Sequence, residues 1–262
     1  MRDRPQHRDL ILDQFTRQAV PFSASPHIKD EAALRLIVEW SGAGVEDALL
    51  DVACGAGHVV CAFARTVRHA TGIDITPAML ERARSLQGDL GLTNVTWRLG
   101  DVLPLPFADD AFTLVTARYA FHHFPDPAAV LAEMTRVCHP GGTVMVVDTE
   151  ASPDPAKAAA FNRMERLRDP SHTRALPLSE HRALFRRAGL PEPRVTSYQL
   201  RADLASLLDR CFPESGDIDV IRETLSAAIE DDRLGMPVWR EGSRIQVAYP
   251  IVVLAAKKGE AR

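Results

Sequence analysis

The sequence predicts an α/β fold, in which helices cover both faces of a mostly parallel sheet. Between residues 48 and 150, short apolar segments typical of buried strands alternate with segments that carry apolar residues at helical spacing. Parallel strands need such helical crossovers, because each strand must start again at the same end of the sheet. The length of 262 residues, with 46% hydrophobic and 25% charged residues, suits one globular domain over 1–262.

Five strands are predicted in the alternating region: ALLDVA (48–53), HATGIDI (69–75), VTWRLGD (95–101), AFTLVTARYA (111–120) and TVMVVDTE (143–150). After residue 150 the alternation stops, and two later strands are predicted, PRVTSYQL (193–200) and RIQVAYPIVVLAAKK (244–258). Helical patterns outside the alternation predict accessory elements. We expect residues 1–40 to form an N-terminal helical lid, and residues 151–175 and 201–242 to form helical cap insertions that shape a substrate pocket.

The composition argues against several classes of protein. A net charge of −4 gives no general attraction to nucleic acid or to an anionic membrane, and no run approaches the roughly 20 apolar residues of a membrane span. The basic N-terminus has no apolar core behind it, so no secretory signal is predicted. The four cysteines show no paired metal-ligand spacing. We therefore expect a cytoplasmic monomer or homodimer with reduced thiols, no metal and no nucleic-acid partner.

The first predicted strand leads into a glycine-rich turn, in the stretch LLDVACGAGHVV. Gly55 and Gly57 allow backbone to approach a ligand closely, because glycine has no Cβ. A dinucleotide site would need a third Gly or Ala where this chain has Val60. Asp51, beside the turn, would repel a pyrophosphate but would attract a cationic ligand or an ammonium group. The turn therefore favours a nucleoside-like ligand without phosphates.

Two further acids close the next two predicted strands. Asp74 ends the second strand, where a carboxylate can accept hydrogen bonds from the two hydroxyls of a ribose. Asp101 ends the third strand, where it can accept from an exocyclic amine such as that of adenine. Any one of these acids alone would more often cap a helix or occupy a surface turn. Three at successive strand ends share one edge of the sheet and favour a ligand site.

Taken in order, the chain resembles the class I S-adenosylmethionine-dependent methyltransferases in LLDVACGAGHV, GIDITPAMLERAR, GDVLPLPFADDAFTLV, RYAFHHFPDP and EMTRVCHPGGTVMVVD. The subgroup that it resembles most includes the ubiquinone/menaquinone-biosynthesis C-methyltransferases. The resemblance covers residues 49–150. It implies a Rossmann-like, seven-stranded, mostly parallel sheet whose last strand is antiparallel. One departure is Ala53, where many members have glycine, and alanine still permits close approach.

The resemblance also implies a cofactor, S-adenosyl-L-methionine, and the residues that hold it. Those assigned to the methionine part, the ribose and the adenine are Asp51, Ala53, Gly55, Gly57, Asp74, Ile75, Met79, Asp101, Val102 and Arg118. In related enzymes a short N-terminal helix closes over the cofactor, and Phe15, Gln18 and Phe22 are the corresponding lid residues here. The alternative for this helix is an amphipathic segment docked on the domain, and the two interpretations are compatible.

The acceptor of the methyl group is predicted to be a small molecule, with transfer to O, N or C left open. Transfer is an in-line attack on the sulfonium methyl, so a base is needed only where the nucleophile must lose a proton. His122 and His123 are the candidate catalytic residues, because imidazole titrates near neutrality. The alternative is that they pack in the turn. Tyr119 either faces the pocket or packs on the sheet.

An arginine-rich segment follows the matched region. It could meet an anionic substrate, but a solvated helix face is favoured because Glu165 and Asp169 balance the charge. Its basic residues are Arg163, Arg166, Arg168 and Arg174, with His172 among them.

Three alternatives to a small-molecule methyltransferase remain at this point. The same fold could bind S-adenosylmethionine without transferring a methyl group. A nicotinamide-dependent oxidoreductase would need the missing third glycine and a hydride-acceptor site. A methylase of macromolecules would be expected to carry a basic groove or a recognition domain, and neither is evident in the sequence.

Overall fold

The computed structural model describes residues 6–26 and 28–260. The strands are β1 (Ala48–Val52), β2 (His69–Asp74), β3 (Val95–Leu99), β4 (Phe112–Arg118), β5 (Cys138–Thr149), β6 (Arg194–Asp203), β7 (Val238–Glu241) and β8 (Arg244–Lys257). The helices are α1 (His7–Ala24), α2 (Glu31–Ser41), α3 (His58–Phe63), α4 (Pro77–Asp89), α5 (Pro127–Val137), α6 (Pro155–Arg168), α7 (Leu178–Arg187), α8 (Leu204–Cys211) and α9 (Ser215–Ala227). A 3₁₀ turn spans Phe121–His123.

The sheet follows the order β3-β2-β1-β4-β5-β8-β6, and the seven predicted strands form this path. Strands β3, β2, β1, β4 and β5 pair in parallel, whereas β8 runs antiparallel to both β5 and β6. The predicted fold class, mostly parallel with an antiparallel last strand, is therefore confirmed. Because β1, β2 and β3 pair in parallel, their carboxyl ends lie at one edge of the sheet.

Helices cover both faces, as the alternation of side chains along β1 shows. Leu49 belongs to a buried cluster that includes Phe63 of α3, whereas Leu50 belongs to a second cluster that includes Leu131 of α5. Successive residues of a strand point to opposite faces, so one strand feeds two cores. Two apolar layers thus hold the sheet between helices.

The segment at 201–242 is not helical throughout, which corrects the predicted cap. Strand β6 continues to Asp203, and β7 forms a hairpin with β8 through a two-residue turn at Gly242 and Ser243. Gly242 has a positive φ of +61°, as such hairpin turns require. The Gly-Ser pair is typical of a hairpin turn, but the four residues of β7 are too few to show a strand pattern in the sequence.

The N-terminal helix packs against α4 and α8, and α6 packs against α9. Residues 1–5 and 27 of the predicted lid lie outside the described residues. None of the helices in the described ranges is long and apolar enough to cross a membrane.

Candidate functional site

A cavity of about 340 Å³, the large cavity, lies at the edge of the sheet where β1, β2 and β3 end. Most of the predicted site residues line it: Asp51, Ala53, Gly55, Asp74, Ile75, Met79, Asp101, Val102, Arg118, Tyr119, His123, Phe15 and Phe22. Gly57, Gln18 and His122 lie elsewhere. The predicted strand ends thus converge on one volume.

Asp51 brings a deeply buried carboxyl group to the large cavity. It is 2% exposed, and Oγ1 of Thr116 on β4 donates to its Oδ1 at 2.8 Å. Burial raises the pKa of Asp51 from 3.8 to about 7, because the ionised form has lost its hydration. A cation placed beside Asp51 would favour the ionised form.

Asp74 ties the glycine turn to the end of β2. Its two carboxylate oxygens accept the backbone N–H groups of Gly55 and Thr76, each at 2.8 Å. Burial raises the pKa of Asp74, partly offset by these two donors. Gly55 has φ of +51°, and a Cβ there would make an ordinary van der Waals contact with the Phe22 ring at 3.9 Å.

Gly57 does not line the large cavity, so its predicted role beside the cofactor stays a prediction. Its φ is +81°, and a Cβ built on it would lie 2.4 Å from the Trp97 ring and 2.9 Å from Cβ of Ala83. The missing side chain therefore makes room for Trp97 of β3 and for α4. The glycine allows the turn to pack, whereas Gly55 faces the cavity.

Arg118, the last residue of β4, is buried at the cavity wall. Its Nη1 donates to the carbonyl oxygen of Ile28 at 3.1 Å, and its Nη2 donates to the hydroxyl of Tyr119 at 3.2 Å. Its Nε has no hydrogen-bond partner in the described part of the chain. Tyr119 has a positive φ of 54°, and its hydroxyl lies 2.6 Å from that of Tyr198 on β6. Both residues are thus held in place, and the Nε–H of Arg118 is left without a partner among the described residues.

Asp101 lies in the loop after β3 and remains half-exposed. Its Oδ1 accepts the backbone N–H of Val102 at 2.7 Å, and Oδ2 lies 3.6 Å from Nε of Arg8 on α1. The ion pair joins the N-terminal helix to the opposite rim of the large cavity. Both side chains are well exposed, so this contact is weak by itself.

A second cavity of about 80 Å³, the small cavity, shares part of its wall with the large one. The shared residues are Phe15, Phe22, Ile28, Tyr119 and His123. The Phe15 ring packs edge-on against the rings of His123 and Phe22, with centroids 5.1 and 6.2 Å away. Gln18 lines only the small cavity, where its Nε2 contacts Asp169 at 3.5 Å. The predicted lid residues thus divide between the two cavities.

His122 lines the small cavity and is paired with Asp148 of β5. Its Nδ1 lies 2.5 Å from Oδ1 of Asp148, and its backbone N–H donates to Oδ2 at 2.9 Å. Asp148 is 1% exposed. Burial opposes the charged imidazolium, but the carboxylate outweighs it and raises the pKa of His122 above 6.5. The same contact, against burial, lowers the pKa of Asp148.

His123 has the opposite electrostatic character. Its Nδ1 lies 3.0 Å from the carbonyl oxygen of Ser171. Burial, with the neighbouring His122, lowers the pKa of His123 to about 4. This ring is therefore neutral near pH 7 and stands between the two cavities.

The arginine-rich segment divides by burial: three of its arginines lie on the solvated face that was favoured, whereas Arg168 corrects that prediction. Arg168 and Glu165 form a buried ion pair at 2.5 Å, and Arg168 also contacts Sγ of Cys211 at 2.6 Å. Asp169 and His172 are 4% exposed. The residues on the solvated side are Arg163, Arg166 and Arg174. Four charged or titratable groups of this segment therefore line the small cavity.

The sequence interpretation missed Asp148 and Tyr198. Asp148 gave the same signal as Asp51 and Asp74, an acid near the end of an apolar strand. Tyr198 gave no signal, because its contact with Tyr119 joins residues 79 positions apart.

Comparison with known proteins places these features in a family. The profile of a family described as "Methyltransferase domain" matches residues 50–146. An uncharacterized methyltransferase, YcgJ of Bacillus subtilis, is 36% identical over 171 residues, which are 65% of this chain and 68% of that protein. Its crystal structure superposes with a TM-score of 0.79 and 31% identity, covering 88% of this chain and 99% of that one.

Relatives named for quinone methylation match a shorter part of the chain. The ubiquinone/menaquinone biosynthesis C-methyltransferase UbiE of Bdellovibrio bacteriovorus is 30% identical over 59% of this chain and 68% of its own length. The 2-phytyl-1,4-naphtoquinone methyltransferase of Synechococcus elongatus is 36% identical over 44% of this chain and 51% of its own length.

Proposed function

Since the chain belongs to the class I S-adenosylmethionine-dependent methyltransferases, we propose that it methylates a small molecule whose nucleophilic group gives a proton to Nε2 of His122. The observation that carries this proposal is the 2.5 Å contact between Nδ1 of His122 and Oδ1 of Asp148 beside the small cavity. The nucleophile is a hydroxyl oxygen or an acidic carbon, because both must lose a proton. The relatives named for quinone methylation are consistent with a carbon or oxygen acceptor.

The charges around the large cavity fit S-adenosylmethionine. Asp51 offers a buried carboxylate for an ammonium group, and the unpartnered Nε of Arg118 offers a donor for a carboxylate. One amino-acid moiety carries both groups. When bound, the cofactor supplies an electrophilic methyl group on a cationic sulfur.

The remaining contacts follow the strand ends. Each carboxylate oxygen of Asp74 keeps a second lone pair for a ribose hydroxyl, since it accepts one backbone N–H. Asp101 would accept from the adenine amine. Ile75, Met79 and Val102 supply the apolar surface on which a base would pack.

The chain's own chemistry is proton transfer and orientation. Asp148 holds the proton of His122 on Nδ1, which leaves the lone pair of Nε2 free to act as a base. As Nε2 takes the proton, Asp148 stabilises the imidazolium that forms. Phe15 and Phe22 exclude water from the shared wall, which strengthens these interactions.

Ligand binding and product formation test the proposal together. We expect S-adenosylmethionine and S-adenosylhomocysteine to raise the melting temperature, and NAD to leave it unchanged. A screen of phenols, quinols, amines and carboxylates should then release S-adenosylhomocysteine with phenols or quinols. Stabilisation by NAD alone would overturn the proposal. Binding without transfer to any acceptor class would favour a protein that uses the ligand differently.

A further inference from the structure

The small cavity has a second buried histidine in its wall, His172, in the loop after α6. His172 is 4% exposed, and its Nδ1 has no hydrogen-bond partner in the described ranges. Buried nitrogens without a partner are rare in folded proteins, and a ligand or a bound water usually accounts for them. The residue lies beyond the segment 50–146 that matches the family profile.

The contacts of Asn162 establish which nitrogen of His172 carries the proton. Nδ2 of Asn162 donates to the carbonyl oxygens of Ala158 and Ala175, at 2.9 and 3.2 Å. Oδ1 of Asn162 accepts the backbone N–H of Ala175 at 2.7 Å and lies 2.7 Å from Nε2 of His172. Nε2 must therefore donate, and Nδ1 keeps its lone pair in the neutral ring. Burial lowers the pKa of His172, which keeps the ring neutral.

The same reasoning applies to His122, and the two rings are neighbours. Nδ1 of His122 donates to Asp148, so Nε2 of the neutral ring is an acceptor. The centroids of the His122 and His172 rings are 5.4 Å apart, and both residues line the small cavity. One small molecule can therefore contact both. The nearby guanidinium of Arg168 is already engaged by Glu165 and Cys211.

We propose that Nδ1 of His172 accepts a hydrogen bond from a second O–H or N–H group of the methyl acceptor, beyond the group that gives its proton to His122. The inference rests on the proposed function, because it takes His122 as the base. It makes His172 a specificity-determining residue. The preferred methyl acceptors are neutral molecules with two hydrogen-bond donors. A methyl acceptor with one donor leaves the lone pair of Nδ1 of His172 without a partner.

Paired probes that differ by one donor test this. The pairs are 1,2-, 1,3- and 1,4-dihydroxybenzene, each against its monomethyl ether, with release of S-adenosylhomocysteine as the assay. For at least one pair we expect a KM for the diol about tenfold below that of the ether, the size of one hydrogen bond. Equal KM values within every pair would overturn the inference.

Two variants separate the acceptor nitrogen from the structural donor. In His172→Gln the amide keeps a donor toward Asn162 but offers no acceptor at the Nδ1 position, and the diol preference should fall to about onefold. In His172→Asn the carbonyl oxygen replaces Nδ1, and most of the preference should return. Arg163→Gln, on the exposed side of α6, is the control and should keep the wild-type ratio. A preference that survives in His172→Gln would contradict the proposal, because a structural role would raise KM for both members of a pair.

A binding readout distinguishes this failure from failure of the proposed function. In protein labelled with ¹⁵N-histidine and saturated with S-adenosylhomocysteine, the Nδ1 signal absent from His172→Gln belongs to His172. Addition of a diol should shift that signal, whereas the ether should not. If no probe is methylated but the diol shifts the signal, the proposed function fails, and what remains of this inference is that Nδ1 of His172 binds a hydrogen-bond donor. No shift with any probe would overturn it.

Discussion

Nδ1 of His122 lies 2.5 Å from Oδ1 of Asp148, and the second oxygen of that carboxylate accepts the backbone N–H of His122 at 2.9 Å. The two contacts bind one histidine twice to a single buried acid. They join the turn after β4 to the neighbouring strand β5. The ring is thereby fixed in orientation as well as in tautomer.

This pair predicts the pH dependence of methyl transfer. The Asp148 charge overcomes burial and raises the pKa of His122 above 6.5, so the rate should rise with pH and level off above that value. Asp148→Asn should move the inflection to lower pH and reduce kcat by about 10²- to 10⁴-fold. Steady-state rates between pH 5 and 9, roughly the range where histidine titrates, provide the measurement. Asp89→Asn, an exposed acid at the end of α4, is the matched control. An unchanged profile in Asp148→Asn would sink the assignment of His122 as the base.

Asp51 predicts a conflict between stability and binding. Its pKa is about 7 in the folded state and 3.8 as the ordinary value, so between these values the folded protein holds a proton that the unfolded chain has released. The free energy of unfolding should therefore decrease as pH rises through this window. Asp51→Asn removes that loss and should stabilise the cofactor-free protein at pH 8 by on the order of a few kcal/mol, but not at pH 4.

Asp51→Asn should also weaken the binding of S-adenosylhomocysteine by at least about tenfold, since a charged hydrogen bond is lost. Thermal unfolding at both pH values and calorimetric titration give the two numbers. Glu81→Gln, an exposed acid on α4, serves as the control and should change neither. Equal stability of Asp51→Asn and wild type at pH 8 would show that the carboxyl is not destabilised by burial.

Substituting Gly57 and Gly42 by alanine compares the stability lost to a steric clash with the stability lost to backbone strain alone. Both have positive φ, +81° and +71°, but only at Gly57 would a Cβ collide, 2.4 Å from Trp97. Gly42→Ala should cost about 1 kcal/mol of unfolding free energy from backbone strain, and Gly57→Ala a further 1–3 kcal/mol or so from overpacking. Urea unfolding compares them. Equal losses in the two variants would mean that Trp97 moves aside freely.

Phe15 predicts a coupled change in both binding steps. Its ring belongs to the wall of both cavities and packs on His123. Phe15→Ala should raise KM for S-adenosylmethionine and for the acceptor together, each by about tenfold, because a lost aromatic contact opens both volumes. Leu12→Ala, half-buried on the same helix and outside both cavity walls, is the control. A rise confined to one substrate would assign the ring to one cavity alone.

The parts of the site that could be predicted share one physical origin. Parallel strands end at one edge, so the order of acids along the chain was enough to bring Asp51, Asp74 and Asp101 together. Asp148 obeyed the same rule and could have been predicted with them. Gly57 could not be separated from Gly55, because the difference depends on Trp97, which reaches it only through packing.

The small cavity was beyond prediction for a different reason. Its wall draws on residues from Phe15 to Ile251, and their meeting depends on how α1, α6 and α8 pack. The buried pair of Arg168 and Glu165 resembled a solvated helix face in sequence, since spacing alone does not reveal what covers a helix. Strand β7 was missed because its four residues form a strand only against β8.

The two cavities draw on different parts of the chain. The strand ends that line the large cavity fall within residues 50–146, whereas the small cavity takes most of its wall from before and after that segment. Grafting the region after β5 between relatives would then exchange what is modified while the strand ends of the donor site stay in place. Substitutions before residue 50 and after residue 146 can thus reshape the small cavity while the strand ends that line the large cavity remain.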